Sequence, residues 1–168
     1  LNPSVFHIHN LILHLINISL VFFFIQLLFN DKRISIITAF LFAIQALHIE
    51  SVAWISERKD LVYSMYFLLS LIMYIKYIKT SQLKFYALSI VLFLFSLFSK
   101  GLAIALAPTI FAIDFFYRRK ILSKKVILEK IPFLILATIF AIIGSIGFFI
   151  HNKPSDISIV GKILSTGF

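Results

Sequence analysis

His48-Ile49-Glu50-Ser51-Val52-Ala53-Trp54-Ile55-Ser56-Glu57-Arg58-Lys59-Asp60 is a polar island in a chain that is 61% hydrophobic. It holds three of the seven carboxylates, two adjacent cations, a histidine and the only tryptophan. Apolar runs border it on both sides, Ile34–Ile49 before and Leu61–Ile78 after. Runs of this length must satisfy their backbone groups internally in lipid, so they read as helices crossing a bilayer. The island then reads as the connection between two of them.

Working outward, four further apolar runs appear, Val5–Phe29, Phe85–Ser99, Leu102–Tyr117 and Ile131–Ile150. The expected fold is all-α: a polytopic helical membrane protein with about six transmembrane helices in one domain. A mean hydropathy of +1.03 agrees with that class. The net charge of +9 sits in short clusters between apolar runs, which points to membrane orientation rather than nucleic acid. With no cysteine in the chain, disulfides and thiolate chemistry are excluded.

Orientation follows from the cations. If the first run enters from outside, Lys32, Arg33, Lys76, Lys79, Lys84 and the cluster from Arg118 to Lys130 fall inside. That is eleven of the sixteen lysines and arginines. The segment 48–60, Lys100 and the tail 151–168 then share the external face. The tail reads as an interfacial segment leading to a further span. Chain start at Leu1 without a signal peptide, and the end at Phe168, read as a piece of a longer membrane protein. Ile34–Ile49 and Phe85–Ser99 reach only about 22–24 Å at the helical rise, against a hydrocarbon core of about 30 Å. Short spans would recess the outer connections into a pocket at the membrane surface.

Read as a helix, the island puts Ile49, Val52, Ala53 and Ser56 on one face and Glu50, Glu57 and Asp60 within about a quarter-turn on the other. Trp54 suits the headgroup level. Clustered carboxylates call for a cation, and Arg58, Lys59 or a divalent metal would serve. Lys100, in Phe98-Ser99-Lys100-Gly101-Leu102, interrupts an apolar run on the same face. Its two readings are snorkelling to the headgroups and contact with a lipid phosphate, with Gly101 allowing close approach. In the first run, His7, Asn10, His14 and Asn17 follow 3-4-3 spacing and share a helix face. Such a stripe hydrogen-bonds neighbouring helices, and His7, nearest the outer end, is placed to line the pocket. Asp114 and Arg118, four apart at the inner end of the fifth run, read as a helical salt bridge. No repeat, P-loop or dinucleotide fingerprint supports nucleotide binding.

The residues from His48 to Leu61 resemble the second external loop of the tetratricopeptide-repeat-containing O-mannosyltransferases and their bacterial relatives. Phe6-His7 with Asn10 and His14, then Ser99-Lys100, then Asp114-Phe115 before Arg118, are similar to that family's patterns in the same order. The resemblance implies the GT-C fold and transfer of a sugar, mannose among the candidates, from a polyprenyl-phosphate carrier to a protein or glycan acceptor. It implies a bacterial inner membrane or an endoplasmic reticulum membrane, with the site on the external or luminal face. By this likeness Glu50 and Asp60 are the candidate catalytic residues, and His48, Glu57, Arg58, Lys100 and His7 the candidate substrate-binding residues. It also implies that the first external loop, with its acidic catalytic motif, precedes Leu1. Two other classes compete on composition: a transporter or lipid flippase subunit, and a non-catalytic membrane anchor. Transporters favour inverted repeats and broken helices near the midplane, and the sequence has no such repeat.

Overall fold

The computed structural model describes residues 3–45, 58–120 and 123–151, with the side chains of residues 7–45, 58–120 and 123–146. Among these residues the protein is all-α. Its elements are α1 (Pro3–Phe29), α2 (Lys32–Ile44), α3 (Arg58–Thr80), α4 (Leu83–Ser99), a 3₁₀ turn (Gly101–Ala105), α5 (Leu106–Phe116) and α6 (Lys124–His151). His7–Phe29, Arg58–Thr80 and Lys124–Ile146 are long and apolar enough to cross a membrane, and Leu83–Ser99 and Gly101–Phe116 are shorter apolar helices. The protein is integral to a membrane. His48, Glu50, Glu57 and the tail 152–168 lie outside the described residues. Arg58, Lys59 and Asp60 form the first turn of α3.

Each tight turn has a local cause. Asn30, Ser81 and Arg118 adopt left-handed backbone with φ of 54°, 55° and 51°, the conformation that stops a helix one residue past its cap. Asn30 is followed at once by Asp31, whose carboxylate caps α2 by accepting from Arg33 N–H at 2.7 Å and Ile34 N–H at 3.3 Å. Ser35 then donates to Gln26 at 3.0 Å, tying the start of α2 to α1. Pro108 lies in the first turn of α5, where its missing N–H leaves no helical bond unmade. Pro132 lies inside α6. A proline there disturbs the carbonyls of the preceding turn, and Tyr86 donates to the Glu129 carbonyl at 2.9 Å.

In lipid the apolar side chains gain little from one another, so close packing of small and polar residues holds helices together. The α3–α4 hairpin shows this. Ser70 and Ser89 are fully buried, and each donates to the other's carbonyl, at 2.8 and 2.9 Å. Two turns further along, Ser96 donates to the Tyr63 carbonyl at 3.1 Å. Around this hairpin Phe133 of α6 packs its ring against Tyr74, Tyr86 and Phe93, with centroids 6.0, 6.1 and 5.7 Å away. Ala103, Leu106 and Ile110 complete the core. Of the α1 stripe, Asn10, His14 and Asn17 are buried as their spacing predicts, whereas His7 is exposed, as are Ile8, Leu11, Ile12 and Leu15 on the lipid side.

Candidate functional site

Asp60 and Lys100 meet at the end of the hairpin away from its turn. The Lys100 ammonium donates to both oxygens of the Asp60 carboxylate at 2.6 Å. The register set by Ser70–Ser89 and Tyr63–Ser96 continues to this pair, one partner in the first turn of α3 and the other capping α4. An acid at a helix start and a cation at a helix end both complement the helix dipoles. Neither side chain is sealed off: Lys100 is 28% exposed and Asp60 24%. Among the described residues, nothing lies within 4 Å of a methyl group built on Gly101, next to Lys100. Phe98 and Leu102, on either side, are exposed.

The sequence nominated Asp60 and Lys100 separately, and the fold joins them. Arg58 is exposed in the same first turn as Asp60. His7 is exposed on α1, two helical turns before the buried His14. Asn17 reaches the residue next to Asp60, donating to the Leu61 carbonyl at 3.0 Å, while its own side-chain oxygen is buried and unpartnered among the described residues. Among the described residues no three His, Asp or Glu side chains are grouped to hold a metal.

A second polar cluster lies at the opposite end of the bundle. The predicted Asp114–Arg118 bridge is not formed. α5 ends at Phe116, and Arg118 takes the left-handed position of a helix-terminating turn, with Arg118 N–H bonded to the Phe115 carbonyl and Arg119 N–H to the Asp114 carbonyl, both at 3.0 Å. That turn carries Arg119 back over α5, where its guanidinium reaches Asp114 at 3.0 Å and Glu129 at 2.8 Å. Lys130 bonds both Asp114 and the Tyr74 hydroxyl. Tyr74 also donates to Asp114 at 3.1 Å, and Tyr77 to Glu129 at 2.7 Å. Two acids thus balance two cations in a buried network joining α3, α5 and α6. Burial opposes the charge on Arg119, but hydrogen bonds to Asp114 and Glu129 more than offset it and hold its pKa above the usual range. The sequence reading missed Glu129 and Lys130 because it placed them in a loop; α6 begins at Lys124, ahead of the apolar run. An acid followed directly by a lysine and a helical proline was the available signal.

No protein-family model matches the chain, and no solved structure matches it. Curated relatives do. Protein O-mannosyl-transferase TMTC3 of Mus musculus is 37% identical over 76 residues, 45% of this chain and 8% of that protein. Protein O-mannosyl-transferase TMTC2 of Homo sapiens is 38% identical over 80 residues, 48% of this chain and 10% of that protein. Protein O-mannosyl-transferase TMTC1 of Homo sapiens is 36% identical over 75 residues, 44% and 8% respectively. Over just under half of its length, then, the chain resembles O-mannosyltransferases, and the matched stretch spans a tenth or less of those relatives.

Proposed function

We propose that this chain forms part of a membrane glycosyltransferase that moves a sugar, mannose by likeness to its relatives, from a polyprenyl-phosphate donor to a protein or glycan acceptor. The observation that carries this reading is the partly open Asp60–Lys100 pair, next to a Gly101 where an added methyl group would meet none of the described residues. It lies at the cation-poor end of the bundle, which the positive-inside rule assigns to the external or luminal face.

In the transfer, an acceptor hydroxyl attacks the sugar's anomeric carbon and the bond from that carbon to the phosphate oxygen breaks. Negative charge grows on the departing polyprenyl phosphate, and a fixed cation beside it lowers the barrier. An ammonium has three donors. Asp60 takes two of those on Lys100 and aims the third, so the cation is already oriented when the phosphate arrives. Exposed Phe98 and Leu102 suit a substrate whose tail stays in lipid. Arg58, in the same turn as Asp60, adds a second cation. Glu50 is proposed to hold the acceptor, whose proton passes to a carboxylate of the first external loop that the family likeness implies, with His48 and Glu57 completing the substrate contacts and His7 lining the approach.

The test is transfer from a polyprenyl-phosphate mannose donor by the full-length protein carrying Lys100→Ala or Asp60→Asn. Each should lower the rate at least about tenfold at undiminished expression, since a charge-stabilising donor of this kind is worth about that or more. Unchanged transfer by both variants refutes the assignment.

A further inference from the structure

The basic end of the bundle carries a groove of about 1140 Å³ that the proposed reaction does not use. Its floor is the outward side of α5, Ala112, Phe115 and Phe116, and its rim is Arg118, Arg119, Lys120 and Ser123. Phe115 is 75% exposed, so the floor is open to lipid. The rim cations differ in a way that matters. Arg119 is neutralised by Asp114 and Glu129. Arg118 and Lys120 are exposed and have no carboxylate partner among the described residues. The left-handed turn at Arg118 is what separates the two arginines, sending one into the buried network and leaving the other on the rim. Ser123 accepts from Val126 N–H at 3.4 Å and retains its own proton for an acceptor oxygen.

We propose that this groove binds an anionic phospholipid of the leaflet at the basic end, with the phosphate between Arg118 and Lys120 and the first acyl carbons along Phe115, Phe116 and Ala112. Charge complementarity names the headgroup, and the apolar floor beneath a cationic rim at the helix ends names a lipid rather than a soluble anion. Basic pockets beside transmembrane helices recognise anionic headgroups in this way. The site is at the opposite end from Asp60 and Lys100 and does not rest on the proposed reaction.

The experiment is native mass spectrometry of the full-length protein in detergent with phosphatidylglycerol or phosphatidylcholine added. Phosphatidylglycerol should bind in preference, and Arg118→Gln with Lys120→Gln should abolish the preference. The loss should be about fivefold per cation removed. Lys120→Gln alone, at an exposed and unpaired side chain, should give the single-cation loss with an unchanged melting temperature. Lys32→Gln with Arg33→Gln, the same charge removed outside the groove, should leave the preference intact. Equal binding of both lipids, equal loss in the Lys32/Arg33 variant, or displacement of phosphatidylglycerol by inorganic phosphate would each overturn the proposal. A groove covered by another helix of the full chain would show as equal binding.

Discussion

Asp60 and Lys100, forty positions apart, meet at 2.6 Å because two small residues in mid-membrane set the register between their helices. Ser70 against Ser89 lets α3 and α4 approach closely, and that spacing carries through Tyr63–Ser96 to the end of the hairpin. The pair is a consequence of helix packing some 15 Å away, at about 1.5 Å per residue.

A partly exposed ion pair contributes about 0–1 kcal/mol to stability. Asp60→Asn should therefore leave the melting temperature in detergent nearly unchanged while transfer falls. The exchanged pair, Asp60→Lys with Lys100→Asp, should restore the salt bridge but not the transfer, because the cation has moved to α3. Recovery of transfer in the exchanged protein would show that only the bridge matters.

Because the hairpin register sets the pair, Ser70→Leu should act at a distance. The added bulk forces the helices apart at an expected 1–3 kcal/mol, and it should lower transfer although Ser70 touches no proposed substrate contact. Ser70→Ala should cost about 0.6–2 kcal/mol and leave transfer largely intact. Thermal melts and transfer rates on the same preparations separate the two effects.

The buried network predicts a contrast between neighbours. Asp114→Asn leaves Arg119 and Lys130 without their shared carboxylate and should destabilise by about 3–5 kcal/mol. Arg118→Ala, one residue from Arg119 but outside the network, should change stability far less. Denaturant unfolding in mixed micelles measures both, and equal effects would contradict the arrangement.

The left-handed turns make a prediction of opposite sign. Ser81, at φ 55°, carries a side chain where glycine is easier. Ser81→Gly should raise stability by up to about 1 kcal/mol, whereas Asn30→Gly should do little, since asparagine tolerates this region. Ser81→Val should lower the melting temperature.

The sequence by itself determined that the chain is helical and membrane-embedded. Hydropathy and helical spacing are local properties, so the apolar runs and the inward face of Asn10, His14 and Asn17 follow from residue order alone. The gathering of most lysines and arginines toward one end of the bundle was equally readable. Even the two halves of the candidate site could be picked out singly, because Asp60 and Lys100 are charges where charge is costly.

Only the tertiary structure decided who meets whom. Nothing in the runs around Asp60 and Lys100 says that they touch; that depends on how closely two serines let α3 and α4 approach. Spacing of four favoured Arg118 as the partner of Asp114, and one left-handed residue handed that role to Arg119. Glu129 and Lys130 looked like loop charges until α6 was seen to begin before its apolar run. In each case the deciding quantity was a register or a turn between helices, which depends on contacts distant in the chain and is not carried by any single segment.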